Sequence, residues 1–197
     1  MKLSKIHGLA AVAALAMVAF VSTASATTLE TNGVTQSGAV SLDWSLAGSA
    51  TTESTSGVFS NTCSTSTWQA TTSGFTGAVV SGSISAMSFS NCTHSPLVVN
   101  SKGSISIERI GTTTNGTVRS SGTSVTYPIT VLGSVVSTTC VTSNNDIGSL
   151  TGAATGKPHI DINAILECSG ILPSARWTAT YALTTSSGAG HAIGVVG

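Results

Sequence analysis

From Thr27 to the end of the chain, apolar residues recur at alternate positions and nowhere at helical spacing. Side chains two apart share a face in extended backbone, whereas a helix brings together those three and four apart. The alternating runs are broken by Gly, Ser, Asn and Thr, so they read as strands joined by turns. They cover Gly38–Leu46, Phe75–Val80, Ser83–Asn91, Leu97–Asn100, Ser104–Ile110, Ser124–Val136, Lys157–Leu166, Arg176–Thr184 and His191–Val196. Such spacing indicates an antiparallel sandwich or barrel. The expectation is an all-β fold, an antiparallel β-sandwich of about 8–10 strands. Pro128 marks an edge or a bulge within its run, and Asn115-Gly116 is the kind of pair that makes a tight turn.

Residues 1–26 are set apart from this pattern. Lys2 and Lys5 precede an apolar run from Gly8 to Val21, and Ala24-Ser25-Ala26 follows as a small-residue cleavage site. This is the pattern of a secretory signal peptide, with an apolar run too short for a stable transmembrane span. The expected domain organisation is therefore a signal peptide over 1–26 and a single β-sandwich domain over 27–197, secreted or held at the cell surface.

Ser and Thr make up 64 of the 197 residues, and only 7% are charged. Without Lys2 and Lys5, five basic residues face seven acidic ones, a net charge of −2 (5 − 7). Nucleic acids and anionic membranes are bound by clustered Lys and Arg, and no such cluster exists here, so neither is an expected partner. A disordered Ser/Thr stalk is the alternative for this composition, but Val, Ile, Leu and Phe recur at strand spacing, which disordered chains lack.

Two segments look like copies of one another. GFTGAVVSGSISAMSFSNC leads to Cys92 and GSLTGAATGKPHIDINAILEC leads to Cys168. Ile84 matches Ile160, Ala86 matches Ile162 and Phe89 matches Ile165. The preceding cysteines, Cys63 and Cys140, lie at almost equal distances. Four cysteines in an exported chain suggest two disulfides with three possible connectivities. If the repeat is real, each half is a disulfide-closed β-unit, and the halves pack into one sandwich. A zinc site is the competing reading, but no CxxC is present and Cys92-Thr93-His94 is too tight for usual ligand spacing.

Signals of catalysis are sparse. His94, His159 and His191 occupy unrelated settings, and no GxSxG elbow accompanies the many serines. Glu30, Asp43, Glu53, Glu108, Asp146, Asp161 and Glu167 are scattered. Asn144-Asn145-Asp146 offers oxygens to calcium without a full ligand loop, and reads better as a turn. No glycine pattern for a phosphate-binding loop precedes a helix. Trp44, Trp68 and Trp177 either pack in the core or act as surface-binding aromatics stacking on a sugar or an apolar surface. No cofactor, metal or catalytic residue is expected.

The run Phe89-Ser90-Asn91-Cys92 and the later Trp177-Thr178-Ala179-Thr180-Tyr181, set in a Ser/Thr/Gly-rich exported β-domain, resemble the small bacterial proteins known as protein activator of alkane oxidation. The resemblance implies a secreted or surface-associated accessory protein, linked in some members with hydrocarbon growth and biofilm matrix, and it brings no catalytic residues. The chain also resembles fimbrial subunits, which are exported, low in charge and disulfide-bonded, and in that case Thr27–Val40 would serve as a donor strand. The first cysteine lies far from the mature start and no penultimate Tyr is present, in departure from chaperone–usher pilins. The functional expectation is a non-enzymatic extracellular protein of surface structure, adhesion or biofilm matrix, self-associating or joined to other matrix components. The alternatives are a surface-active accessory protein that binds hydrophobic substrates and promotes alkane use, and a secreted hydrolase.

Overall fold

A computed structural model describes residues 27–31, 34–36, 38–73, 78–152, 157–184 and 193–196. The expected signal peptide, residues 75–77 at the start of the expected strand Phe75–Val80, Ala153 of the second repeat copy and His191 lie outside the described residues. Among those described there are strands and no helix. The strands are β1 (Thr28–Thr31), β2 (Val34–Thr35), β3 (Ser41–Leu46), β4 (Ala50–Ser54), β5 (Ser60–Ser73), β6 (Val80–Cys92), β7 (Val98–Ser101) and β8 (Ser104–Arg109). They continue with β9 (Gly116–Val131), β10 (Ser134–Thr151), β11 (His159–Ser169), β12 (Ser174–Leu183) and β13 (Ile193–Val196).

All pairings are antiparallel, and they close on themselves. β3 and β4 both pair with β5 on one side and β12 on the other, so they are two pieces of one strand position broken at Ala47–Ser49. β7 and β8 likewise share one position beside β9. The ten strands β3–β12 thus fill eight positions that follow chain order as a meander, and β9–β10 pairing joins the two arms. The layers expected of a sandwich are continuous with each other at both edges, and the sheet wraps its core as a barrel. At eight strands a barrel interior is just wide enough for side chains to fill. A separate small sheet, β13-β1-β2, is docked by Thr27, whose Oγ1 donates to the Ala78 carbonyl (2.8 Å).

Alternation places the core. In β11, Ile160, Ile162, Ala164 and Leu166 are buried while Asp161, Asn163 and Glu167 face out. In β12, Ala175, Trp177, Ala179, Tyr181 and Leu183 point inward. The inside is predominantly apolar and the outside rich in hydroxyls, the reverse of a membrane-spanning barrel with its apolar outer band. No helix among the described residues is long and apolar enough to cross a membrane.

Two disulfides brace this wall. Cys63–Cys92 joins β5 to β6 and Cys140–Cys168 joins β10 to β11, each between directly opposed residues with Cα atoms 3.9 and 4.0 Å apart. Sequential neighbours are linked, so each four-strand half carries one bridge between its second and third strand positions. The repeat holds for Ile84 and Ile160, both buried, but Phe89 packs against the core while Ile165 is exposed. A bulge opposite Gln69 and Ala70 adds one residue to β6 and reverses which side chains face in.

Other local expectations shift. Asn144-Asn145-Asp146 is no turn but an irregularity inside β10, with Asn144 at φ +55° and Asn145 Nδ2 donating to the Ile165 carbonyl (3.2 Å). Asn115-Gly116 closes a longer loop, the Ile110 N–H donating to the Asn115 carbonyl (3.0 Å). Pro128 pairs with Ser137 of β10 beyond the reach of β7, so its missing N–H removes no ladder bond on the free side.

Candidate functional site

Strand direction gathers four connections at one end of the barrel: 55–59, 93–97, 132–133 and 170–173. The register pairs Glu53↔Ser60, Val98↔Thr126, Ser134↔Val131 and Glu167↔Ser174 place them there together. Both disulfides lie at this same end, one between β5 and β6 and the other between β10 and β11. The β9–β10 hairpin reaches furthest. Among the described residues Tyr127–Val131 and Ser134–Thr138 pair only with each other, five residues beyond their neighbours, or about 17 Å at full extension.

The inner side of that hairpin covers the core. Tyr127 and Ile129 are buried, and Tyr127 meets Phe59 edge-on across the barrel at 6.4 Å between ring centres. Thr52 Oγ1 donates to Tyr127 Oη (3.3 Å), and burial pushes the phenol pKa above its ordinary value against the opposing pull of that bond. Asn61, buried, clamps the next loop. Its Nδ2 donates to the His94 carbonyl and its Oδ1 accepts from the His94 N–H, at 3.1 and 2.9 Å. His94 then packs on Phe59 with ring centres 5.5 Å apart.

The outer tips carry large apolar side chains in water. Leu132 is 101% exposed, Val58 77% and Val135 70%, and Val98, Val131 and Ile171 are also exposed. No Asp, Glu, Lys or Arg lies within 54–101, 120–145 or 168–175, and these stretches include all four connections at this end. Glu53, Glu167 and Arg176 mark where charge resumes. Each hairpin spends its inner side on the core and leaves an apolar residue outside, on a rim stiffened by disulfides. Leu132 is also held at φ +50° in a two-residue turn with Gly133 at φ +81°. That left-handed pair ordinarily selects Asn-Gly, and a β- or γ-branched residue there is uncommon.

The three tryptophans lie elsewhere. Trp44, Trp68 and Trp177 are buried, so none is available as a surface-binding aromatic. Trp44 stacks on Trp68 at 5.2 Å, and Tyr181 meets Trp68 and Trp177 edge-on at 6.1 and 6.3 Å. They pack in the core together with Leu42, Leu150, Leu166 and the β-branched residues of the neighbouring strands. Burial raises the Tyr181 phenol pKa, with the 2.8 Å bond to Ser66 Oγ opposing and Tyr127 adding to the rise.

Among the described residues the titratable groups do not gather at one site. His159 lies 3.3 Å from Asp161 on the exposed barrel wall, and Arg119 pairs with Asp146 at 2.6 Å and, more loosely, with Glu108 at 3.8 Å. Among the described residues no three His, Cys, Asp or Glu side chains gather as a metal-binding group. Comparisons with family models, curated proteins and solved structures return no match to this chain.

Proposed function

We propose that this is a non-enzymatic extracellular attachment protein that holds to hydrophobic surfaces through its uncharged, apolar-tipped end. The observation that carries the reading is the convergence of exposed Val58, Val98, Leu132, Val135 and Ile171 on one rim free of Asp, Glu, Lys and Arg. Exposed large apolar side chains gathered at one end of a molecule, rather than scattered singly over it, mark contact sites. Removing it from water is worth about 25 cal/mol per Å², and an uncharged rim adds no ionic desolvation penalty. Two disulfides and hydroxyl-rich outer strands suit an extracellular setting. In that setting the protein would contribute to adhesion or matrix structure, and alkane droplets are one such surface.

Partition of purified protein onto alkane droplets in a neutral buffer tests the reading. Wild-type protein is expected to partition. The variant with Val58, Leu132, Val135 and Ile171 all changed to Ser should remain in the aqueous phase while keeping its fold by circular dichroism. Equal partition of the folded variant and the wild type would sink the proposal.

A further inference from the structure

Among the described residues the barrel wall is unpaired between the far part of β6 and β7. β8 extends the ladder on β6 from Val80↔Ile107 to Ser83↔Ser104, and the Ile84 N–H donates to the Gly103 carbonyl (3.1 Å). Among the described residues, β6 beyond this point pairs only with β5, and β7 pairs only with β9. Ala86–Asn91 and Leu97–Ser101 therefore face one another as two free main-chain edges, although the chain passes directly from one to the other. In a ladder their Cα atoms would lie about 5 Å apart, whereas β6 and β7 stay beyond 8 Å over nearly their whole length. Two strand spacings, the room taken by one inserted strand, come to about 9.6 Å.

The irregular positions on each side explain why the gap does not zip shut. The bulge at Ser85 turns Met87 and Phe89 inward, while Leu97, just before β7, and Val99, within it, pack toward the core. In the register set by Ile84 and Gly103, inward Met87 would face outward Asn100, and outward Ser88 would face inward Val99. A pleated pair cannot satisfy that mismatch, because directly opposed residues share a face. Gly103 holds the break at φ +69°, where a Cβ would collide with the Ser121 carbonyl. Lys102 closes the lower end, its Nζ donating to the Ser85 carbonyl (2.6 Å).

We propose that this gap is an acceptor slot for one extended segment of another polypeptide, uncharged, about six residues long and apolar at alternate positions. Only an extended backbone presents donors and acceptors to two strand edges at once, the main-chain recognition used in strand addition. The floor is apolar, built from half-buried Met87, Phe89, Leu97 and Val99. A cavity of about 20 Å³ lies behind Met87 and Phe89, lined also by Val125, Leu166 and Trp177. Residues 86–101 contain no Asp, Glu, Lys or Arg, so a charged segment would be desolvated without a partner.

The slot is independent of the attachment reading, and its test uses no hydrophobic surface. The probe is a capped, fluorescent hexapeptide alternating valine and threonine, titrated into the full chain. Saturable binding is expected, with slowed hydrogen exchange at Ala86–Asn91 and Leu97–Ser101. The same peptide N-methylated at alternate residues, or with lysine in place of valine, should bind at least about tenfold more weakly. Deleting Ser85 removes the bulge and should abolish binding, and Phe89→Ser, at a half-buried site, should weaken it in a chain that still folds. No binding, equal binding of the N-methylated peptide, or protection at other strands would overturn the proposal. Dimerisation of the protein alone with protection at these two segments would overturn the choice of occupant.

Discussion

Leu132 concentrates the tension between stability and exposure. It is fully solvated, it occupies a left-handed backbone position, and it is followed by a glycine that shares that conformation. An Asn at this position would form the preferred Asn-Gly hairpin turn. Leu132→Asn is therefore expected to stabilise the fold by about 1 kcal/mol, the lower end of the strain held at such positions. Chemical denaturation reads this directly. The same variant should adhere less well to alkane droplets, so a gain in stability and a loss of attachment would come from one residue. A destabilised Leu132→Asn protein would mean that the turn is not strained.

At the scale of elements, the β5–β6 and β10–β11 hairpins are the braces. Their bridges close loops of 29 and 28 residues, and on the chain-entropy model each constrains the unfolded state by roughly 3–4 kcal/mol. Replacing Cys63 and Cys92 together by Ser, or Cys140 and Cys168 together, should lower the unfolding midpoint by similar amounts in the two variants. A negligible change in either would show that hairpin to be held by packing alone. These elements also show where sequence pattern is a poor guide. β5 escapes apolar alternation because its inward positions include Asn61, Ser66 and Thr72 beside Cys63, Trp68 and Ala70. Hydroxyls are buried there because they find partners, as Ser66 does in Tyr181 and Thr72 in the Val40 backbone. The run Ser124–Val136 hides a hairpin for a related reason: Leu132 stands where a polar turn residue would have marked the reversal.

The whole molecule has only two tyrosines, and both are buried hydrogen-bonded members of its core. Their phenols are held above the ordinary value near 10 by burial, so the folded state keeps them neutral where the unfolded chain would ionise. That contribution to stability is complete below about pH 10 and is lost as pH rises from there through the folded pKa values. Thermal unfolding followed against pH should thus show a steady midpoint through neutrality and a fall above about pH 10. Tyrosinate absorbance should rise only together with loss of the fold. A phenol titrating at its ordinary pH in a protein still folded would show that the β9–β10 hairpin or the barrel centre is open to water.

The residues by themselves determine that this chain is extended throughout its described part, that its halves carry one cysteine pair each, and that long stretches hold no charge. These are properties of neighbours along the chain: alternation, spacing and composition. The charge-free stretches 54–101, 120–145 and 168–175 are visible in the sequence as three separate intervals, but nothing local says that they meet. Tertiary structure decided that the sheet closes on itself, that the three tryptophans face inward, and that four apolar tips share one rim. It also decided that β6 and β7 stay apart. Closure and phase depend on single inserted residues such as Ser85, and on which strand lies opposite, so a one-residue shift reverses every side chain beyond it. Period-two alternation reveals that a strand has two faces, and only the folded barrel assigns one of them to the core.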